Sequence, residues 1–249
     1  MACFDTSFHT SIPGLAQQFA IPRKLTEEGI RRYGFHGLSY EYISKKLPEY
    51  DQKAANGKSI VAHLGSGASM CAMKNSKSIA STLGFTALDG LVMGTRTGLI
   101  DPGVVLYLMQ NKGMNDKDIE KLLYKESGLL GISGISNDMR VLLKSDKQSA
   151  KEAISIFVYR IKREIGSLMA AIEGLDAIVF TAGIGEKSSE IREMICKELI
   201  WLGVKLDKTA NLGNKSLIST SDSKINIWVI PTNEELMIAE HTRDILMAS

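Results

Sequence analysis

The sequence predicts an α/β fold in which helices cover a largely buried sheet. Short β-branched, apolar runs alternate along the chain with longer segments of helical periodicity. Several of the apolar runs end directly in clusters of glycine, which contributes 22 of the 249 residues. Hydrophobic residues make up 44% of the chain, which is enough for a sizeable core and excludes a disordered protein.

The predicted strands are short runs bounded by turn residues. The run at 59–64 is apolar and ends at Gly65, and the run at 176–181 ends in an Ala-Gly-Ile-Gly turn. Residues 74–77 (KNSK) suit a hairpin turn between two further runs. The five predicted strands are 59–64, 70–73, 78–81, 176–181 and 225–230.

The predicted helices have start and stop signals. Asp101 followed by Pro102 is typical of an N-cap and a first helical position, and Asn115 suits the N-cap of a second helix. Thr232 and Glu235 have the spacing of a capping box. Apolar residues at three- and four-residue spacing predict a long helix at 149–172. The five predicted helices are 102–111, 115–127, 149–172, 188–201 and 233–246.

Charge and cysteine content exclude several classes of protein. The chain has 30 Lys and Arg against 28 Asp and Glu, so nothing indicates binding to nucleic acid or to an acidic membrane surface. No segment approaches the ~20 apolar residues of a transmembrane helix, and the first residues lack a signal-peptide pattern. Cys3, Cys71 and Cys196 form no CxxC pair. We therefore expect reduced, buried cysteines in a cytoplasmic protein, without a disulfide or zinc framework.

Two predicted strands end in glycine turns, HLGSGAS at 63–69 and FTAGIGEKS at 180–188. Glycine lets backbone N–H groups approach an oxyanion, and open α/β sheets bind ligands beyond the carboxyl ends of their strands. The second turn also precedes a predicted helix, whose N-terminal amides favour phosphate. Neither turn matches the glycine pattern of Walker-type NTPases or of dinucleotide-binding folds, and each alone is weak support.

Single polar residues allow two interpretations each. Arg96 on a glycine-rich loop suits a clamp on a transferring phosphoryl group or a surface salt bridge. Asp138 and Arg140, taken alone, indicate only the start of a helix. Glu234 suits a helix N-terminus or a Mg²⁺ site. Three of the four histidines lie in polar or glycine-rich motifs, but none has the i, i+4 partner of a zinc site.

A set of motifs in a fixed order is far more specific than any of them alone. Nine motifs occur in one order over residues 2–247. They are FDTSFH, YGFHG, HLGSGAS, GFTALDGLVMGTRTGLIDPG, SGLLGISGIS.DMR, VFTAGIGE, IRE, LGVKLD and PTNEELMIA. This ordered set resembles the acetate/propionate/butyrate kinase family. The resemblance implies the actin-like ATPase (ribonuclease H-like) architecture, with a mixed sheet flanked by helices. It also implies reversible phosphoryl transfer from ATP to acetate, giving ADP and acetyl phosphate, with Mg²⁺ and in a homodimer.

The resemblance assigns roles to individual residues. Asp5 becomes an active-site carboxylate, and His36 and Arg96 flank the transferring phosphoryl group. Glu234 becomes a carboxylate of the magnesium site. The implied nucleotide contacts are His63, Leu64, Gly65, Ser66 and Gly67 at the phosphates, Asp138, Met139 and Arg140 at the nucleoside, and Gly183, Ile184, Gly185, Glu186 and Lys187 around the adenosine and α-phosphate.

Three positions depart from the family's motifs. Ser66 replaces an asparagine of the first glycine loop, and Lys187 replaces an asparagine after the second. Tyr40 replaces a histidine four residues after His36. None of the three is a residue that the resemblance assigns to the central chemistry.

The resemblance also implies an additional N-terminal domain ahead of FDTSFH. We therefore expect 1–12 to be a remnant of the segment between domains and 13–231 to be the nucleotide-binding α/β domain. Residues 232–249 would form a C-terminal helix that packs on the missing domain, so that its apolar residues would be partly exposed.

Three functions stay open on the sequence. The chain is the nucleotide-binding part of an acetate kinase that needs the other domain for activity, a module that binds ADP or ATP with Mg²⁺ without turnover, or a non-catalytic dimerisation fragment. Propionate or butyrate kinase is a rival to the first, because one methylene in an acyl pocket is worth only ~1–3 kcal/mol.

Overall fold

One mixed five-stranded sheet forms the centre of the protein. A computed structural model describes residues 2–248, so Met1 and Ser249, the outer ends of the first and last predicted segments, lie outside it. The strand order is β3-β2-β1-β4-β5, with β1, β4 and β5 parallel and the β1-β2-β3 pairs antiparallel. The strands are β1 (Lys58–Leu64), β2 (Ala68–Lys74), β3 (Lys77–Ser81), β4 (Ala177–Thr181) and β5 (Asn226–Val229). All five lie within two residues of the predicted runs.

Helices of very different lengths surround the sheet. Two 3-10 segments, Ser7–Ser11 and Ile200–Leu202, add to them. The α-helices are α1 (Gly14–Gln17), α2 (Arg23–Glu27), α3 (Gly37–Tyr50), α4 (Gln52–Ala55), α5 (Pro102–Lys112), α6 (Asp116–Lys125), α7 (Gly128–Ser133), α8 (Met139–Leu143), α9 (Gln148–Ala171), α10 (Ala182–Lys187), α11 (Ser189–Lys197), α12 (Lys208–Leu212) and α13 (Glu234–Ala248).

The two faces of the sheet bury two apolar clusters. Successive side chains of a strand point to opposite faces. Ile60 and Phe180 pack with the apolar stripe of α9 on one face, and Val61 and Val179 pack with Ile43 of α3 on the other. The fold is therefore a sheet between two helical layers, which confirms the predicted α/β class.

Local capping signals were largely correct. Asp101 accepts a hydrogen bond from the N–H of Gly103, and Asn115 forms a capping box with Asp118. The predicted helix at 188–201 is too long, since α11 ends at Lys197 and a 3-10 turn follows. Gly203, with φ +86°, then takes the chain out of this turn.

The capping box predicted at Thr232 and Glu235 is wrong. The side chain of Asn233 instead accepts from the N–H of Leu236 at 2.9 Å. Thr232 has other partners, because its N–H donates to Glu186 Oε1 and its hydroxyl accepts from Ser39. The start of α13 is thus held by the distant residues Glu186 and Ser39 as well as by local capping.

The last helix packs on the body of the protein through only part of its surface. Met237 of α13 is buried against α3, whereas Leu246 is 73% exposed. The packing of this helix on a further domain stays a prediction. Within residues 2–248, no helix combines the length and apolar character that crossing a bilayer requires.

Cys71 and Cys196 are buried thiols, but Cys3 is only half-buried, so the expectation of burial is wrong for that residue.

Candidate active site

The carboxyl ends of the parallel strands meet at one edge of the sheet. His63 of β1 pairs with Thr181 of β4, so the two glycine motifs that follow these strands lie side by side. The carboxylate of Glu186 joins them to the segment after β5, since its Oε1 accepts from the N–H groups of Ala182 (2.8 Å) and Thr232 (3.1 Å). Ligands of open α/β sheets bind at this kind of edge.

The second glycine motif is not the open turn that the sequence predicts. Residues 182–187 form the short helix α10, which Ala182 enters with φ +63°. The Glu186 carboxylate takes the free N–H of Ala182 at the start of this helix, which explains why a glycine-containing segment is helical here. Lys187, at its end, is exposed.

His36 is held in an uncommon conformation beside Asp5. Its φ of +57° lies in the left-handed region, and its N–H donates to Oδ2 of Asp5 at 2.5 Å. The next N–H, that of Gly37, donates to the carbonyl of Asp5 at 2.8 Å. A methyl group at Gly37 would lie 2.2 Å from this carbonyl oxygen, so glycine is required for the approach. A strained residue over-determined by its neighbours is common at functional sites.

Arg96 and His36 converge on the first glycine motif. A methyl group at Gly67 would lie 3.2 Å from Nη2 of Arg96 and 3.3 Å from Nε2 of His36. Nη1 of Arg96 donates to the carbonyl of Ala87 at 2.6 Å. Arg96 forms no ion pair with an acidic residue among 2–248, so the alternative of a surface salt bridge is wrong.

The loop that contains Arg96 is fixed on both sides. The N–H of Gly94 donates to the carbonyl of Ser66 at 3.0 Å, which joins the loop to the first glycine motif. On the other side, Gly128 at the start of α7 has φ +62°, and a methyl group there would lie 2.7 Å from the carbonyl oxygen of Arg96. These contacts hold the guanidinium in place without a carboxylate partner.

His63 lies against His36. The two rings stack with centroids 4.2 Å apart and an interplanar angle of 19°. Nδ1 of His63 bonds to the hydroxyl of Ser39 at 2.8 Å, and Ser39 bonds in turn to Thr232. Burial, reinforced by His36, lowers the pKa of His63 to about 3. Burial also lowers the pKa of His36. The Asp5 carboxylate raises this pKa and the Arg96 charge lowers it further, and the net shift is downward. Both rings are therefore neutral at pH 7.

Glu234 lies near Asp5 at the same edge of the sheet. Burial, and then the charge of Asp5, raises the pKa of the Glu234 carboxyl. Within residues 2–248, no group of three His, Cys, Asp or Glu side chains is arranged to hold a metal ion. A divalent cation here would therefore take most of its ligands from a bound nucleotide or from water, as Mg²⁺ commonly does.

The segment 138–140 starts a helix, as its sequence alone indicates. Asp138 caps α8 through the N–H of Arg140 and forms an exposed ion pair with its guanidinium at 2.6 Å. Met139 is buried in the core. The segment adjoins the loop of Arg96, because a methyl group at Gly94 would lie 3.4 Å from Cβ of Asn137. Its contact with a nucleoside stays a prediction.

The other two histidines lie outside this site. His9 is a buried residue whose ring bonds to the hydroxyl of Ser78 (2.8 Å) and to the carbonyl of Phe35 (3.0 Å). His241 pairs with Glu41 at 2.8 Å between α13 and α3. Of the four histidines, His36 and His63 are therefore the candidates for chemistry.

Sequence reasoning missed the role of Arg192. This guanidinium is completely buried, and no carboxylate among residues 2–248 pairs with it. It donates to the carbonyls of Gly185 (2.9 Å) and Glu186 (2.8 Å) at the end of α10, and to Asn211 and Asn214 of the neighbouring segment. Arg192 thereby holds α10 in place. The motif IRE contains this arginine, but the motif indicates neither the burial of the side chain nor its partners.

Comparison with known proteins gives consistent matches. The family model described as Acetokinase family matches residues 1–240. An acetate kinase from Rhodopseudomonas palustris (strain TIE-1) is 62% identical over 244 residues, which are 97% of this chain and 61% of that protein. One from Rickettsia felis is 55% identical over 99% of this chain and 64% of that protein. The chain thus spans about three fifths of the length of these relatives.

Solved structures agree with the sequence comparison. A Porphyromonas gingivalis acetate kinase superposes with a TM-score of 0.92 at 39% identity, over 98% of this chain and 63% of that one. A propionate kinase from Francisella tularensis superposes with a TM-score of 0.91 at 44% identity, over 95% and 62% of the two chains. The mixed sheet with its helices is the actin-like ATPase fold that the motifs imply. The chain belongs to the acetokinase family.

Proposed function

We propose that this chain contains the nucleotide and phosphoryl site of an acetate kinase, which transfers a phosphoryl group reversibly between ATP and acetate. The main support is the convergence of Arg96 Nη2 and His36 Nε2 on Gly67. A cation and a ring nitrogen meet there at a glycine loop where backbone can approach an anion closely.

The chemistry of phosphoryl transfer suits these residues. The transition state spreads charge over three equatorial oxygens, and catalysis depends mainly on positioning and charge stabilisation. Arg96 supplies a permanent positive charge, and a neutral His36 supplies a donor without becoming a nucleophile. Asp5 holds the backbone of His36 and thereby fixes its ring. Each donor is expected to contribute on the order of 10²–10³ in rate.

The nucleotide would lie along the loops at the sheet edge. We propose that His63–Gly67 contact the phosphates, with the buried Leu64 contributing backbone only. We propose that 183–187 surround the adenosine and α-phosphate and that 138–140 contact the nucleoside. The two departures fit this role, because Ser66 is exposed beside Gly67 and the exposed Lys187 offers positive charge where the family has an amide.

The carboxylates of Asp5 and Glu234 fit a Mg²⁺ ion. The charge of Asp5 raises the cost of ionising Glu234, and a divalent cation would remove that cost. Mg²⁺ commonly combines one or two carboxylates with nucleotide phosphates and water. When bound, it would neutralise charge on the nucleotide phosphates.

Two partners belong to the proposal. One is the remaining length of the longer relatives, which would supply the rest of the acyl site as an N-terminal domain. The other is a second copy of the chain, since α5 exposes Val104, Leu106, Tyr107 and Met109 at 42% or more and buries none of its residues.

We place the reaction in the cytoplasm, without nucleic acid or membrane. Propionate is the alternative acceptor, because a propionate kinase is among the structures of highest similarity.

The test combines binding and turnover. Calorimetric titration of ADP with Mg²⁺ into the chain should give one site, weakened in the Lys187→Ala variant. With ATP, acetate and hydroxylamine supplied, the chain alone should form little or no acetyl phosphate and hence little or no hydroxamate. It should appear when the N-terminal part of the R. palustris enzyme is added, with acetate preferred over propionate. Failure of the chain to bind nucleotide would contradict the proposal, and full activity of the chain alone would overturn the need for the second domain.

A further inference from the structure

A buried pair of hydroxyl groups lies behind His36. Nδ1 of His36 lies 2.8 Å from Oγ of Ser69, and the same Oγ forms a short hydrogen bond with the hydroxyl of Tyr40. Tyr40 and Ser69 are both 0% exposed. Tyr40 belongs to α3 and Ser69 to β2, so the helix and the sheet hold the pair from two sides.

We propose that Tyr40 and Ser69 are positioning residues that fix the tautomer of His36, so that Nε2 holds the ring proton and donates it in a hydrogen bond to the phosphoryl group. The inference rests on the proposed function for its catalytic consequence. The tautomer itself follows from the hydrogen bonds and is independent of any substrate.

The direction of the hydrogen bonds follows from counting protons. A phenol has one proton, and within residues 2–248 the hydroxyl of Tyr40 has Ser69 as its one hydrogen-bond partner. A buried donor without an acceptor costs ~1–3 kcal/mol, so Tyr40 donates to Ser69. The single proton of Ser69 then goes to its other partner, Nδ1 of His36, which must be unprotonated to accept it. The proton of the neutral ring therefore lies on Nε2.

The opposite direction leaves a proton without a partner. If Nδ1 of His36 donated to Ser69, Ser69 could donate to Tyr40, which would leave the phenol proton without an acceptor. Ser69 could instead accept from both partners, which would leave its own proton without an acceptor. The groups that act on Tyr40 from neighbouring elements are the rings of Phe8, His9 and His63, the thiol of Cys71 and the carboxylates of Asp5 and Glu234. None of these is a hydrogen-bond partner of the Tyr40 hydroxyl in the structure. The arrangement thus selects one tautomer.

The other ring nitrogen faces the site. Nε2 of His36 forms no hydrogen bond with a residue of the described part of the chain, and it lies 3.3 Å from where a Gly67 methyl group would be. The groups that act on this ring from neighbouring elements are Asp5, Arg96 and His9, with His63 stacked on its face. Asp5 accepts from the backbone of His36 rather than from the ring, so Nε2–H stays available.

Nitrogen NMR of the chain labelled with ¹⁵N-histidine tests the inference without substrate. The signals of His36 among those of the four histidines can be assigned with a His36→Gln variant. We expect His36 of the wild type to be the Nε2–H tautomer. In Tyr40→Phe, the ratio of Nε2–H to Nδ1–H should fall roughly two- to tenfold, the equivalent of one hydrogen bond. Tyr33→Phe removes a phenol that bonds to Gly29 instead, and should leave this ratio unchanged.

Two results would overturn the inference. One is a wild-type His36 in the Nδ1–H form, and the other is a Tyr40→Phe variant with the tautomer ratio of the wild type. If the wild-type measurement gives the expected tautomer but the chain binds no nucleotide, the positioning of His36 stands and the proposed function fails. The two failures are therefore distinguishable.

Discussion

The imidazole rings of His36 and His63 stack 4.2 Å apart, although 27 positions separate them in the chain (36 and 63). Both rings are neutral, since burial lowers both pKa values. Two neutral rings can share a site in which an additional positive charge from Arg96 faces one of them. The stack therefore requires that neither ring takes up a proton in the folded state.

The first prediction concerns stability against pH. The pKa of His63 is about 3 in the folded protein and near 6.5 as an ordinary histidine. Between these values the unfolded chain binds a proton that the folded chain does not, so stability falls as pH falls from about 6.5 towards 3, by ~1.4 kcal/mol per pH unit for one group. Urea unfolding at pH 7 and pH 5 should show a smaller loss in His63→Asn than in the wild type. Equal losses would contradict the assignment.

The second prediction concerns Gly67. Its φ lies outside the left-handed region, so Gly67→Ala should keep the fold. The new methyl group would lie 3.2 Å from Arg96 Nη2 and fill the point where Arg96 and His36 converge. We expect a loss of turnover of about 10²-fold in the complemented hydroxamate assay, because a displacement of ~1 Å can cost that much.

The matched control is Gly166→Ala on α9. A methyl group there meets nothing within 4 Å, so turnover should stay unchanged and stability should rise by ~0.5–1 kcal/mol. Equal turnover of the Gly67→Ala variant and this control would show that Gly67 does not border the reacting group.

The third prediction concerns Arg192. Arg192→Met keeps much of the side-chain volume but leaves the carbonyls of Gly185, Glu186 and Asn211 without this donor. Buried acceptors left unpaired cost ~1–3 kcal/mol each, so unfolding free energy should fall by about 3 kcal/mol or more. Urea denaturation measures it, with Arg243→Met on the exposed face of α13 as the control. A loss below ~1 kcal/mol would mean that α10 is held by other contacts.

Most of the fold was predictable because its signals are local. The strands begin and end at turn residues, and Asp101 and Asn115 cap their helices through side chains two or three positions away. The failures occur where a distant group intervenes. Glu186 takes the N–H of Thr232 from 46 positions away (186 and 232), and this pairing replaces the predicted capping box.

The site was predictable only in part for the same reason. The order of motifs identified Asp5, His36 and Arg96, and the structure brings these three together. Burial and partner choice depend on the folded chain, so neither the burial of Arg192 nor the contact of Tyr40 with Ser69 can be derived from the sequence. In the folded chain Tyr40, a departure from the family's motif, becomes a direct partner of Ser69 behind His36.

The most direct test of the proposed phosphoryl site is Arg96→Ala. Turnover of acetyl phosphate with ADP should be measured for this variant, complemented with the N-terminal part of a relative, together with calorimetric affinity for ADP. We predict a loss of turnover of at least 10²–10³, with nucleotide affinity little changed, because Arg96 acts on the group in transit. Near-normal turnover of Arg96→Ala would contradict the account.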